Sequence, residues 1–135
     1  MLLDVTLGTS DLPRAIRFYQ AVMPTFGMVR LKDGVAGWAG WGKDPGTDYG
    51  LWLCPPFDGN PASVGNGTML TFAATSAAQV RAFHRAALAN GGTDEGPPGT
   101  RARYSPTFYV AYVRDPDGHK LAAVFDPYDP ARDTE

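Results

Sequence analysis

The second half of the chain repeats the order of the first half at an offset of 65 residues, the distance from Thr6 to Thr71. In each half a strand-like segment is followed by a helix-capping side chain and then by apolar residues at helical spacing. Few residues are identical, but the repeated order indicates two copies of one small module. The matching positions are Thr6-Leu7 with Thr71-Phe72, Ser10-Asp11 with Thr75-Ser76, Phe18 with Phe83, Ala21 with Ala86 and Met23 with Leu88.

The first half begins with a strand pattern. Residues 3–7 alternate between aliphatic and polar or charged side chains, which predicts a strand with Asp4 and Thr6 on its polar face. The segment Thr9-Ser10-Asp11 offers N-cap side chains for the helix that follows, and Pro24 ends that helix. Three short strands are predicted after it, at residues 28–31, 35–41 and 49–54.

The second half follows a connection rich in Pro, Gly, Asn and Ser, a composition typical of a surface segment. Ser76 is predicted to cap the second helix, and Gly91-Gly92 to end it. Residues 93–106 contain five Gly or Pro residues, and we interpret them as a loop. After this loop the two apolar runs within residues 108–125 flank Asp115-Pro116-Asp117-Gly118, a turn sequence that predicts a β-hairpin.

Composition narrows the class of protein. With 135 residues, of which 44% are hydrophobic, the chain suits one domain with a real core. Its formal charge is −2 and its 12 basic residues are scattered, so we expect neither nucleic acid nor a membrane as partner. Cys54 has no second cysteine to pair with, and Met1-Leu2-Leu3-Asp4 reaches a charge too early for a secretory signal, so we expect a cytoplasmic protein.

These features resemble the vicinal oxygen chelate superfamily, which includes glyoxalase I, the bleomycin-resistance proteins and the extradiol dioxygenases. The resemblance rests on residues 4–12 with Phe18-Tyr19, on Gly65-Asn66-Gly67-Thr68, and on residues 114–121. It implies an α+β fold in which two tandem βαβββ modules form a curled eight-stranded mixed sheet around a cleft, with the helices on the outside. The expected division of the single domain is about 1–57 for module 1, 58–67 for the linker, about 68–126 for module 2 and 127–135 for a tail.

Metal-using members of this superfamily hold a divalent ion with His and Glu side chains that point into the cleft. The positions that match those ligands are occupied here by Asp4, Met69 and Ala122, with Trp52 at the fourth corner. A single carboxylate and a thioether are a poor donor set for Mg²⁺, Mn²⁺, Fe²⁺ or Zn²⁺. We therefore predict no metal, no cofactor and no catalytic residue.

The two histidines are not expected to replace the missing ligands. His84 follows Phe83 of the apolar helix stripe, and we interpret it as a partly exposed helix residue. His119 follows the turn glycine and is interpreted as a solvent-facing turn residue away from the cleft.

What remains in the predicted cleft is mainly apolar and aromatic, as in many ligand pockets. Trp38 and Trp41 have opposite strand parity, so at most one faces the cleft without a bulge. Any one of these aromatic side chains is equally compatible with a filled sheet core, but three tryptophans in so small a chain favour a pocket for the set. The candidate ligand-binding residues are Asp4, Thr6, Trp38, Trp52, Met69, Thr71, Arg103, Tyr104, Tyr112 and Ala122.

The resemblance leaves three classes of function open. The first is a metal-free protein, similar to the bleomycin-resistance branch, that binds an unknown small molecule in the aromatic cleft. The second is a metal-dependent lyase, isomerase or dioxygenase with a non-standard site. The third is a structural or regulatory module whose cleft is collapsed. In each case the exposed sheet edges favour a homodimer.

Overall fold

The computed structural model describes residues 1–32, 35–47 and 49–133, so the last two residues of the predicted tail lie outside the described residues. The first half contains β1 (Val5–Gly8), α1 (Leu12–Val22), a short 3-10 helix (Met23–Phe26), β2 (Val29–Arg30), β3 (Ala39–Gly42) and β4 (Leu51–Cys54). The second half contains β5 (Met69–Ala73), α2 (Ala77–Ala89), β6 (Thr93–Arg101), β7 (Ser105–Arg114), β8 (Lys120–Phe125) and a short 3-10 helix (Pro130–Arg132).

The strands form two four-stranded sheets of identical topology, ordered β1-β4-β3-β2 and β5-β8-β7-β6. In each sheet the first strand pairs in parallel with the last strand of its module, and the other pairs are antiparallel. The α+β fold of two βαβββ modules is therefore confirmed. Its eight strands are divided between two sheets, and the sheets do not close into a barrel.

Each sheet has a helix-facing side and an open side. The helix-facing side carries Leu51 and Leu53 in the first sheet and Leu121 and Ala123 in the second, all buried in one hydrophobic cluster with the helices. The cluster is shared between the halves: the ring of Phe26 stacks on that of Phe72 at 5.0 Å. The alternate residues of each strand point to the open side, because successive side chains of a strand face opposite ways.

Both helices begin as the sequence predicts. The Asp11 carboxylate accepts a hydrogen bond from the amide of Arg14, and the Ser76 hydroxyl accepts one from the amide of Gln79. These bonds satisfy amides that a helix leaves without an internal partner. α1 ends at Val22, one turn of 3-10 helix follows, and neither described helix is long and apolar enough to cross a bilayer.

The loop interpretation of residues 93–106 is wrong. Residues 93–101 form β6, an edge strand whose pairing with β7 shifts register between Asp94 and Gly96 and again between Gly96 and Gly99. Proline is tolerated there because one side of an edge strand has no ladder partner, and bulges absorb the misfit. The three short strands of the first half also start later than predicted. For β3 the reason is a turn at residues 35–37, in which Gly37 has a φ of 87°.

The predicted hairpin turn is confirmed, and it also joins the two halves. The Asp115 carboxylate accepts hydrogen bonds from the amides of Asp117 and His119, while Gly118 adopts a φ of 95°. The Tyr19 hydroxyl of α1 donates to the other oxygen of Asp115 at 2.6 Å. Burial raises the pKa of Asp115, which is only 4% exposed. The turn is thus fixed against the first helix.

Candidate binding cleft

The open side of the first sheet carries two tryptophans in contact. Trp52 lies in register between Thr6 of β1 and Gly40 of β3. The ring of Trp38 meets that of Trp52 edge-on, with centroids 6.3 Å apart and an angle of 64°. A Cβ on Gly40 would lie 2.5 Å from the Trp52 ring, so glycine is what lets the indole lie across β3.

Trp41 belongs to the opposite side, as strand parity requires. It is fully buried against Tyr19 in the core, and its indole N–H donates to the Gln20 side chain at 3.0 Å. The prediction was that at most one of Trp38 and Trp41 faces the cleft, and Trp41 lies on the core side. Trp38 precedes the strand and is half-buried.

A cavity of about 620 Å³ lies beside this tryptophan pair. Its size falls within the range of small-molecule sites, about 300–1,000 Å³. Its lining is mainly apolar, and Thr6, Asp58 and Ser63 are the residues with polar side chains. The lining residues are Thr6, Gly8, Trp38, Cys54, Pro55, Pro56, Phe57, Asp58, Pro61, Ala62 and Ser63.

The segment after β4 forms one wall of the cavity, although its composition indicated only a connection. It folds back because the Ala62 amide donates to the Ser10 hydroxyl at 2.8 Å and the Asn60 amide donates to Asp58. Its prolines restrict the backbone, so the wall is largely preformed. The signal that identifies this wall in the sequence is Phe57, a large aromatic residue in a Pro-rich stretch, which is fully exposed.

Cys54 lies on the cavity wall but is not poised for nucleophilic chemistry. It is 7% exposed, and burial raises the pKa of its thiol. At neutral pH the thiol therefore stays protonated, which is the unreactive form. Its contribution to the cavity is apolar surface.

The open side of the second sheet is a separate surface. Thr71, Ala122, Tyr112 and Gly96 lie side by side across β5, β8, β7 and β6. The Lys120 ammonium lies 5.2 Å from the centre of the Tyr112 ring and the Arg101 guanidinium lies 5.7 Å from it.

The predicted site residues therefore fall into two groups. Thr6, Trp38 and Trp52 come together on the first sheet, and Asp4 is an exposed residue just before β1. None of the second-sheet residues lines the 620 Å³ cavity. That second group consists of Met69, Thr71, Tyr112 and Ala122 on the strands, with Arg103 and Tyr104 in the turn between β6 and β7, where the Arg103 guanidinium lies 5.5 Å from the Tyr104 ring.

Neither histidine lies in the cleft. His84 is held 2.9 Å from the Asp94 carboxylate. The prediction of a solvent-facing His119 is wrong, because the turn packs on the end of β1. The His119 ring is half-buried there, and its Nε2 lies 2.7 Å from the carbonyl oxygen of Gly8.

The residues at the superfamily's metal-ligand positions do not fit a divalent ion. Ala122 has no donor atom, Met69 offers a thioether and Trp52 an indole, which leaves the Asp4 carboxylate as the one hard donor of the four. Across the described ranges, no three His, Cys, Asp or Glu side chains come together as a metal site would need.

Comparison with known proteins agrees with this architecture. The sequence profile of the Glyoxalase/Bleomycin resistance protein/Dioxygenase superfamily matches residues 2–123, and the chain belongs to this superfamily. A solved glyoxalase/bleomycin resistance protein from Albidiferax ferrireducens T118 is 38% identical, with a TM-score of 0.81 over 94% of this chain and 99% of that chain. No protein of curated function matches.

Two further solved structures share the fold at lower identity. A glyoxalase-related enzyme from Fulvimarina pelagi is 23% identical with a TM-score of 0.70, covering 94% of this chain and 89% of that one. The fosfomycin resistance protein FosX from Mesorhizobium loti is 15% identical with a TM-score of 0.64, covering 93% and 91%. At these identities the likeness is one of fold.

Proposed function

We propose that this protein binds a planar, largely apolar small molecule in the cavity beside Trp38 and Trp52, without a metal ion and without changing the molecule. The observation that carries the proposal is the indole ring of Trp38 on the wall of a cavity of about 620 Å³, where the ring of Trp52 packs edge-on behind it. Aromatic walls with a few fixed polar groups are typical of small-molecule sites. The Thr6 hydroxyl and the Asp58 carboxylate would orient the ligand.

Donor chemistry favours binding over catalysis. The four positions that correspond to metal ligands provide one hard donor, and Lewis-acid chemistry needs an ion held by several. The thiol on the cavity wall is kept protonated by burial. The competing proposal is a metal-dependent lyase, isomerase or dioxygenase with a non-standard site. The relative from Fulvimarina pelagi is a glyoxalase-related enzyme, so the experiment below also tests this alternative.

Binding can be tested with 2-naphthol, a neutral two-ring aromatic molecule, on chelator-treated protein. A ligand that binds only the folded state raises the melting temperature, so we expect a concentration-dependent rise. Trp38→Ala removes one indole and should weaken binding about tenfold or more. Tyr49→Ala is the matched control, because Tyr49 is 53% exposed and is not a cavity residue.

Three outcomes would contradict the proposal. The first is equal binding by wild type and Trp38→Ala. The second is a requirement for added Mn²⁺, Fe²⁺ or Zn²⁺, and the third is the recovery of an altered molecule by mass spectrometry; the second and third favour the enzymatic alternative.

We further propose that the protein is a homodimer. Several large apolar side chains are exposed, and a second copy of the chain would remove such surface from water. The residues in question are Leu2, Leu3, Phe57 and Met69, with exposures of 78%, 64%, 108% and 44%. Light scattering at micromolar concentration should give twice the chain mass, and a monomer would refute the proposal.

A further inference from the structure

We propose that Asp117, in the hairpin turn of the second half, is a positioning residue for the aromatic cavity of the first half. Through Ser10 it holds the cavity wall formed by residues 55–63. This role rests on the proposed function only where ligand binding is concerned, since the position of the wall can be measured without a ligand. Asp117 does not line the cavity itself, which is lined by residues of the first half and of the segment after β4.

The hairpin turn contacts the end of β1 and the residues that follow it at two points. The ring of His119 donates from Nε2 to the carbonyl oxygen of Gly8 at 2.7 Å, because a carbonyl oxygen can only accept. One carboxylate oxygen of Asp117 accepts from the amide of Ser10 and from Nη2 of Arg14, both at 3.0 Å. The Asp117 side chain is only 5% exposed. The turn therefore fixes the backbone between β1 and α1.

Ser10 connects the turn to the cavity wall. Its hydroxyl accepts from the amide of Ala62 at 2.8 Å, and Ala62 lines the cavity. The wall also lies directly against β1, since a Cβ on Gly8 would be 3.5 Å from the Cβ of Ala62 and 3.5 Å from Cγ of Pro56. A displacement of the residues that the turn holds therefore moves the wall or opens a gap beside it.

The wall has few other attachments by hydrogen bond. Within the described part of the chain, the other hydrogen bonds of residues 56–63 lie inside the segment: the Gly59 amide donates to the carbonyl of Pro56, and Asn60 donates to Asp58. A surface segment with so few bonds to the rest of the protein opens locally at low free-energy cost. The bond between Ala62 and Ser10 is therefore the one whose loss should free the wall.

The ion pair of Asp117 with Arg14 must be separated from this role, because it can stabilise the protein whether or not the wall is held. Arg14→Met removes the ion pair and leaves the bond to the Ser10 amide, so it is the matched control. Ser10→Ala does the reverse: it removes the hydroxyl that accepts from Ala62 and keeps the backbone amide that donates to Asp117.

The position of the wall is tested by amide hydrogen exchange of Ala62 in the protein without ligand. We expect Asp117→Ala and Ser10→Ala each to speed this exchange about fivefold or more, the effect of losing one hydrogen bond. Arg14→Met should change it by less than about twofold while lowering the urea midpoint. Asp117→Asn should also leave it nearly unchanged, because the side-chain oxygen of asparagine can still accept from the Ser10 amide.

The alanine variant is expected to fold, because Tyr19 and His119 still hold the turn. If it does not fold, Asp117→Glu keeps the charge beside Arg14 but moves the accepting oxygen away from the Ser10 amide. It must then show the same faster exchange of Ala62.

The consequence for binding is measured with 2-naphthol on the same variants. The affinity should fall about fivefold or more in Asp117→Ala and in Ser10→Ala, and the double variant should lose less than the product of the two effects, because both act through one chain of contacts. Unchanged exchange of Ala62 in Asp117→Ala, equal acceleration in Arg14→Met, or independent effects in the double variant would each overturn the role of Asp117. The expected exchange pattern in a wild type that does not bind 2-naphthol would support that role and contradict the proposed function.

Discussion

Tyr19→Phe tests how the hairpin turn of the second half is fixed to the first helix. The Tyr19 hydroxyl donates to Asp115 at 2.6 Å, Tyr19 is fully buried, and Asp115 is 4% exposed. The substitution removes one oxygen atom and leaves the ring in place. One oxygen of the Asp115 carboxylate still accepts from the amides of Asp117 and His119, while the other loses the hydroxyl of Tyr19 as its donor.

The cost follows from that loss. A hydrogen bond to a charged group contributes about 1.5–3 kcal/mol to stability. A buried acceptor that is left without its donor loses this whole contribution. We therefore expect the free energy of unfolding to fall by about 2 kcal/mol at neutral pH. In a domain of this size that corresponds to a melting temperature lower by about 6–10 °C.

The cost should depend on pH. Burial raises the pKa of Asp115 above its ordinary value of 3.8, so the stability it contributes is fully present below that value and is lost as pH rises through the raised pKa. The hydrogen bond from Tyr19 opposes this rise because it favours the ionised form. Tyr19→Phe should therefore cost most where Asp115 is ionised and less in acid, where the carboxyl is protonated.

Urea unfolding at several pH values measures this dependence. Tyr49→Phe is the control, since Tyr49 is exposed and should change stability by less than about 0.5 kcal/mol. Combining Tyr19→Phe with Asp115→Asn should give less than the sum of the two single effects, because both act on one contact. A loss below about 0.5 kcal/mol at neutral pH, or a loss that grows in acid, would refute the reasoning.

Three further outcomes are expected. Gly40→Ala should push the Trp52 ring off β3, lower the unfolding free energy by about 1–3 kcal/mol and weaken 2-naphthol binding, measured by denaturation and thermal shift. Ser76→Ala should cost about 1 kcal/mol by removing the cap of α2, with no change in 2-naphthol binding. Cys54 should react with iodoacetamide more slowly than free cysteine at about pH 8, because burial raises the pKa of its thiol. The reaction should be slower still with 2-naphthol present, because the ligand would cover the cavity wall on which Cys54 lies.

The fold could be predicted because its signals are local and repeated. Asp11 and Ser76 are cap residues in equivalent places. The turn at Gly118 has a positive φ, and a glycine within a Pro-containing turn sequence predicts such a conformation. β6 could not be predicted from residues 93–101 alone. Its pairing comes from β7, a tertiary effect that outweighs the low strand preference of Gly and Pro.

Some geometry of the candidate site could be predicted, but its assembly could not. Strand parity separated Trp38 from Trp41, as the structure shows. The shared face of Thr71, Tyr112 and Ala122 follows from strand pairings that the structure reveals. The wall around Phe57 depends on a bond between residues far apart in sequence, that of Ala62 with Ser10, which no local pattern reveals. Likewise, the half-buried position of His119 depends on its contact with the carbonyl oxygen of Gly8 at the end of β1, which is also distant in sequence.

The central claim is that the aromatic cavity binds a small molecule without a metal ion. The most direct measurement is a titration of chelator-treated protein with 2-naphthol, followed through the indole N–H signals of its 3 tryptophans. The account predicts that the signals of Trp38 and Trp52 move together and saturate, while that of Trp41, buried in the core, stays in place. Signals that remain still until a divalent metal is added, or that move equally for all three, would contradict it.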